Sequence, residues 1–157
     1  SEELARRQAD EHGNHPAVFL IVNGLQRYRG LRKGDDDFSF SLSSDEEKKP
    51  SAGKQIVELI KEGPNVGMHL IAWCDTLASI ERTFERNLMR EFDHRILFQM
   101  SSNDSSNLID SPIANKLGFF RALAYSEEQG VMEKFRPYGM PSSGFLREVS
   151  EKLKARA

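Results

Sequence analysis

Ala17-Val18-Phe19-Leu20-Ile21-Val22, closed by Asn23-Gly24, is the stretch that decides the fold. It is a continuous apolar run with no alternation. A strand with one wet face alternates; a strand buried on both faces does not, and that is the habit of a parallel sheet between helical layers. Two further runs behave alike, Met68-His69-Leu70-Ile71-Ala72-Trp73 and Arg95-Ile96-Leu97-Phe98-Gln99-Met100. Between them the period changes. Residues 52–62 carry Ile56, Val57, Leu59 and Ile60 on an apolar side and stop at Gly63-Pro64. Residues 77–92 place Leu77, Ile80, Phe84, Leu88 and Phe92 on one helical face, with Glu81, Arg82, Glu85 and Arg86 opposite. Strands alternating with helices predict an α/β fold, a largely parallel sheet with helices on both faces.

Outward from this centre, the chain opens with a charged stretch that predicts a short helix over 1–12, ending near Gly13 and Pro16. Short helices fit 104–109 and 112–117, the second with Pro112 in its first turn. Strands at 122–125 and 131–135 make a hairpin through Glu127-Glu128-Gln129-Gly130. A C-terminal amphipathic helix from about Ser143 is expected to turn Phe145, Leu146, Val149 and Leu153 inward. Residues 33–50 hold the acidic run Asp35, Asp36, Asp37 and no apolar period, and predict a mobile polar loop insertion. The 157 residues fit a single domain, 1–157.

Composition narrows the classes. A formal net charge of −2 excludes a domain that is basic throughout, although a local patch is compatible with it. Arg27, Arg29, Arg32 and Lys33 form such a cluster, either a contact for nucleic acid or a neighbouring subunit, or a solvated rim offset by Asp35–Asp37. The single cysteine, Cys74, allows no internal disulfide and points to a reducing, cytoplasmic setting. No apolar run has the length of a membrane span, so no membrane contact is expected from this segment, whatever anchor a parent protein carries elsewhere. The chain opens on Ser1 rather than Met, which leaves room for sequence upstream. His12, His15, His69 and His94 have no metal-ligand spacing, and no Ser-His-Asp constellation can be argued. The nearest approach to a phosphate-binding loop is Gly53-Lys54-Gln55, with Lys48 at the place of the first glycine and no Ser or Thr after the lysine.

Five pieces, in order over most of the chain, resemble the second half of the FtsK/SpoIIIE/HerA motor ATPase domain. Val18 to Gly24 stands at the Walker B strand. Gly67-Met68-His69-Leu70-Ile71-Ala72 is similar to that family's G-I-H-L-hydrophobic-A strand, and Arg95 to Ser102 to its R-I-x-F-Q-V-S-S strand. Asp104-Ser105 with Leu108-Ile109-Asp110 resembles D-S-R-x-I-L-D. Leu117-Gly118 and Arg121 to Tyr125 resemble L-L-G followed by G-D-M-L-Y. The resemblance implies a RecA-like P-loop NTPase half whose P-loop lies upstream.

It also implies site positions, and this chain departs from them. Where the family has the Walker B carboxylates, Asn23 and Gly24 stand: asparagine brings no negative charge to Mg²⁺, and glycine cannot polarise water. The sensor-like positions hold Cys74 and Asp75. A carboxylate is unfavourable beside phosphate, so Asp75 is expected to cap the helix that follows. The arginine-finger position holds Pro64, with Lys61 one helical turn earlier. Arg95, which opens the third strand, is expected to pair with Asp93 or Glu91. The expected function is a degenerate ATPase module, serving assembly or regulation among sister ATPase domains or ring subunits. The alternative is part of an active DNA translocase. ATP and Mg²⁺ would belong to the parent protein, not to this segment. DNA is one candidate polymer, and Arg27, Arg29, Arg32 and Lys61 are the candidate polymer or subunit contacts.

Overall fold

The computed structural model describes residues 2–10, 13–33 and 50–156. Residues 34–49 of the expected polar insertion, with Asp35–Asp37 and Lys48, lie outside the described residues, as does His12. The chain divides into two compact units, Ser1–Phe92 and Asp93–Ala157.

The first unit contains α1 (Glu2–Ala9), β1 (Val18–Asn23), α2 (Ala52–Glu62), β2 (Met68–Trp73) and α3 (Leu77–Thr83). β1 and β2 pair in parallel, Val18 opposite Met68 through Asn23 opposite Trp73, as the two apolar runs predict. The register puts Leu20, Val22, Leu70 and Ala72 on one face, because side chains alternate along a strand. That face meets Ile56 and Ile60 of α2, and Leu25, Phe84 and Leu88 complete the core. The helix expected over 77–92 is shorter. Thr83 turns its hydroxyl back to the Ser79 carbonyl, and Phe84 leaves helical geometry with φ −113° and ψ 145°. Phe84 is nevertheless buried against Phe92, so the apolar side survives the break.

Burial on both faces of β1 does not hold. Phe19, Ile21, Ile71 and Trp73 share the other face and are 49–69% exposed, and no helix of this unit's described residues covers them. Their apolar character is that of a two-sided strand, but only one covering layer is present.

The second unit contains β3 (His94–Leu97), α4 (Ser102–Ile109), β4 (Ala122–Ser126), β5 (Val131–Phe135) and α5 (Ser143–Lys154). The expected parallel place of β3 is corrected: it pairs antiparallel with β4, which pairs antiparallel with β5. Being adjacent to the hairpin strand supplies β3 with ladder partners within its own unit. The core joins Leu97 and Leu123 to Ile109, Ala114 and Leu117. α5 forms where its periodicity predicts, but its stripe does not turn inward. Phe145, Leu146 and Leu153 are exposed, and only Val149 of the stripe is half-buried.

Candidate functional site: the C-terminal ends of β1 and β2

Parallel pairing brings the last residues of β1 and β2 side by side. Asn23 is opposite Trp73, and the Gly24 amide donates to the Trp73 carbonyl at 3.1 Å. Asn23-Gly24 and Cys74-Asp75 therefore lie at neighbouring strand ends. Gly24 is buried and left-handed, with φ 80°. A Cβ there would be strained by the backbone and would sit 3.2 Å from the Arg27 side chain. Glycine is thus required by the turn from β1 into the short 3-10 turn Leu25–Arg27, and no side chain at 24 can act as a base.

Across the cluster, Cys74 packs at the edge of the core, and burial pushes its thiol up. It is a small apolar residue here rather than a ready nucleophile. Asp75 is exposed, and its carboxyl is held below the ordinary aspartate value chiefly by hydrogen bonding with Ser79. The Thr76 hydroxyl also donates to it at 3.3 Å. The helix cap itself is Thr76, whose hydroxyl accepts the Ser79 amide at 3.2 Å. Asp75 supports that cap from one residue away, so the expectation that it caps α3 is corrected by one position.

This donor set does not fit Mg²⁺ and a triphosphate. Among the described residues Asp75 is the one carboxylate at the paired strand ends, and it is engaged with Thr76 and Ser79 at its own helix start. The Gly24 amide is spent on the ladder. Gly53-Lys54-Gln55 makes the first turn of α2, where the Ser51 hydroxyl accepts the Lys54 amide and the Ser51 carbonyl accepts the Gln55 amide. It is an ordinary capped helix start. Among the described residues no three His, Cys, Asp or Glu side chains form a metal cluster, and no helix is long and apolar enough to cross a membrane.

The remaining sequence candidates fall elsewhere. Pro64 opens the 3-10 turn Gly63–Val66 that leads into β2, at the opposite end of that strand from Cys74-Asp75. Arg27 and Arg29 lie exposed in short 3-10 turns after β1. Arg32 donates to the Gln26 carbonyl at 3.2 Å. Arg32 and Lys61, well separated in the sequence, line one cleft together with Lys33 and Lys54. Two further roles escaped sequence reasoning. Arg7 is buried and donates to the Pro16 and Val66 carbonyls, both at 3.0 Å, and to Glu3. Arg95 pairs with Glu127, not with Asp93 or Glu91, and donates to the Leu108 carbonyl at 2.6 Å. Both partnerships join residues distant in sequence, which no local spacing signals.

No protein-family model matches the chain, and no curated protein matches it. Among solved structures, it is similar to the genome packaging NTPase B204 from Sulfolobus turreted icosahedral virus 2 in complex with ATP-gammaS. The TM-score is 0.50 at 16% identity, over 77% of this chain and 52% of that one. The same NTPase in complex with AMPPCP gives a TM-score of 0.49 at 12% identity, over 88% of this chain and 62% of that one. The chain thus spans about half the length of the first of these structures. Its architecture, a mixed α/β chain with a parallel sheet and helices, is similar to the P-loop NTPase fold.

Proposed function

We propose that this chain is the C-terminal part of an FtsK/SpoIIIE-like motor ATPase domain that has lost its catalytic positions. It serves assembly or regulation of a DNA- or protein-translocating motor in the cytoplasm, beside sister ATPase domains or ring subunits. The observation that carries this reading is the pairing of Asn23-Gly24 with Cys74-Asp75 at the strand ends. A working motor needs a carboxylate for Mg²⁺ and a group that positions water at this place. An amide and a glycine supply neither. The test is calorimetric titration of the chain with Mg-ATP, together with phosphate release. The expected result is no micromolar binding and no turnover. Tight stoichiometric binding would overturn the reading.

A second reading, part of an active DNA translocase whose P-loop lies upstream, draws on the bare face of the β1–β2 sheet. Phe19, Ile21, Ile71 and Trp73 suit a covering layer of the kind that a nucleotide-binding half supplies. The two readings separate when that half is joined to this one. A degenerate module stays without turnover, whereas a translocase hydrolyses ATP despite Asn23.

A further inference from the structure

In the second unit, Ala122 opens β4 opposite Phe135, the last residue of β5. The segment that enters β4 and the segment that leaves β5 therefore emerge at one end of the sheet. Their large side chains stand clear of the described residues. Phe119, Phe120, Tyr138 and Met140 are each at least 79% exposed, and a Cβ at Gly118 or Gly139 would meet nothing within 4 Å. Phe120 also holds φ 56°, a left-handed conformation that a bulky residue rarely adopts. Two adjacent phenylalanines are thus held in water on a strained backbone, with little packing to offset the strain. Strain of this kind points to a use outside the fold.

Charge in these two segments is of one sign. Residues 111–126 and 134–147 contain no Asp or Glu, and they hold Lys116, Arg121, Lys134, Arg136 and Arg147. Arg121 and Arg136, both exposed, directly flank the protruding side chains. The acids of the hairpin lie elsewhere along it. Glu133 is opposite Ala124, two positions in along the ladder, and Glu127 and Glu128 belong to the turn at the far end.

We propose that this end of the second unit docks on an anionic membrane surface. Phe119, Phe120, Tyr138 and Met140 enter the interfacial layer, and Arg121 and Arg136 meet lipid phosphates. Aromatic side chains favour the headgroup level of a bilayer, and basic residues beside them are drawn to anionic lipid. The protrusion of the side chains decides between occupants. A protein partner would have to supply a fitted pocket for each. Single-stranded nucleic acid is held along a basic groove in which rings serve as a platform, whereas these rings stand clear. A bilayer interface takes protruding apolar side chains as they are. The expectation of no membrane contact came from the lack of a spanning run, and a surface contact needs none. None of these residues lies at the ends of β1 and β2, so the loss of catalysis is not assumed.

The experiment sediments the whole chain with vesicles of phosphatidylcholine and phosphatidylserine, two to one, and with vesicles of phosphatidylcholine alone. Binding to the first is expected, weakening with salt, with little to the second. Phe119→Ser/Phe120→Gly is expected to weaken binding roughly tenfold or more. Glycine at 120 suits the left-handed backbone, so this variant retains the fold. An Arg121→Gln/Arg136→Gln pair should lose about as much, and it guards against a folding defect in the first variant. Ile21→Ser, on the bare face of the first unit, should bind like the parent, which separates this site from general adsorption. Absence of co-sedimentation, equal binding to phosphatidylcholine alone, affinity unchanged in both paired variants, an equal loss in Ile21→Ser, or tighter binding of single-stranded DNA through the same arginines would each overturn the proposal.

Discussion

The parallel pair β1–β2 and the antiparallel sheet β3–β4–β5 hold their strands by different means. In the first, burial dominates: Val22, Leu70 and Ala72 lie against α2, while Phe19, Ile21, Ile71 and Trp73 on the reverse stay exposed. In the second, polar anchors are added to a small core. Asp93 accepts the Glu128 amide at 2.6 Å and the Ser126 hydroxyl at 3.0 Å, fixing the start of the β4–β5 turn. Arg95 ties β3 to the Leu108 carbonyl and to Glu127. The Ser105 hydroxyl, fully buried, donates to the Ser111 carbonyl and accepts the Ala114 amide. A sheet that secures its strands locally stands with fewer layers. A sheet that relies on burial is left with a bare face when a layer is missing.

The sharpest way to break this contrast is to truncate the core beneath the parallel pair and, separately, its bare face. Leu25→Ala, at a residue 1% exposed in the core, is expected to lower the unfolding free energy by about 2–5 kcal/mol. Ile21→Ser, on the bare face at 69% exposed, is expected to cost less than about 1 kcal/mol and to reduce self-association. Urea unfolding of both variants decides it. Equal losses would mean that the bare face is covered in solution.

Arg7→Met tests a polar anchor of the first unit. It removes charged donors from the Pro16 and Val66 carbonyls, for a loss of about 1.5–3 kcal/mol by the same measurement. Loss of less than half of that would show that α1 is held by packing through Leu4 alone.

Acid should act on both units through their carboxylates. The Glu3 carboxyl is lowered to about 2, chiefly by the Arg6 hydrogen bond and then by that of Arg7. Asp93 is lowered chiefly by the Glu128 amide. A carboxylate whose folded pKa is depressed stabilises fully above its unfolded pKa, and that stability is lost as pH falls through the folded pKa. Urea midpoints should therefore fall once pH drops below about 4. An Asp93→Asn variant should be weaker at neutral pH and flatter below it. A variant with the parent's full acid dependence would remove Asp93 from the account.

What was legible in the sequence follows the range of the interactions. β1 and β2, α2 and the hairpin came from periodicity and turn residues, which are local. Asn23-Gly24 and Cys74-Asp75 were singled out by the resemblance alone, and the direct pairing of β1 with β2 that sets them side by side came from the structure. The partners of Arg7 and Arg95 were hidden, because Val66 and Glu127 lie far along the chain. The break at Phe84 was hidden for another reason: its burial continues the helical apolar spacing although its backbone is extended. The antiparallel pairing of β3 could not be read from its own residues either, because an apolar run names no partner.

The smallest effect concerns the loop before β4. Phe120 has φ 56°, a left-handed conformation that an L-residue with a bulky side chain rarely adopts, and it is 79% exposed. Left-handed geometry costs a non-glycine residue about 1–2 kcal/mol. Glycine removes that strain but loses about 0.5–1 kcal/mol through the freedom of its unfolded chain. The exposed ring has little packing to forfeit. Phe120→Gly is therefore expected to stabilise the chain by up to about 1 kcal/mol, read as a higher urea midpoint at unchanged slope. A lower midpoint would mean that the ring makes contacts in solution worth more than the strain, and the polar-anchored sheet would then depend on burial at this corner too.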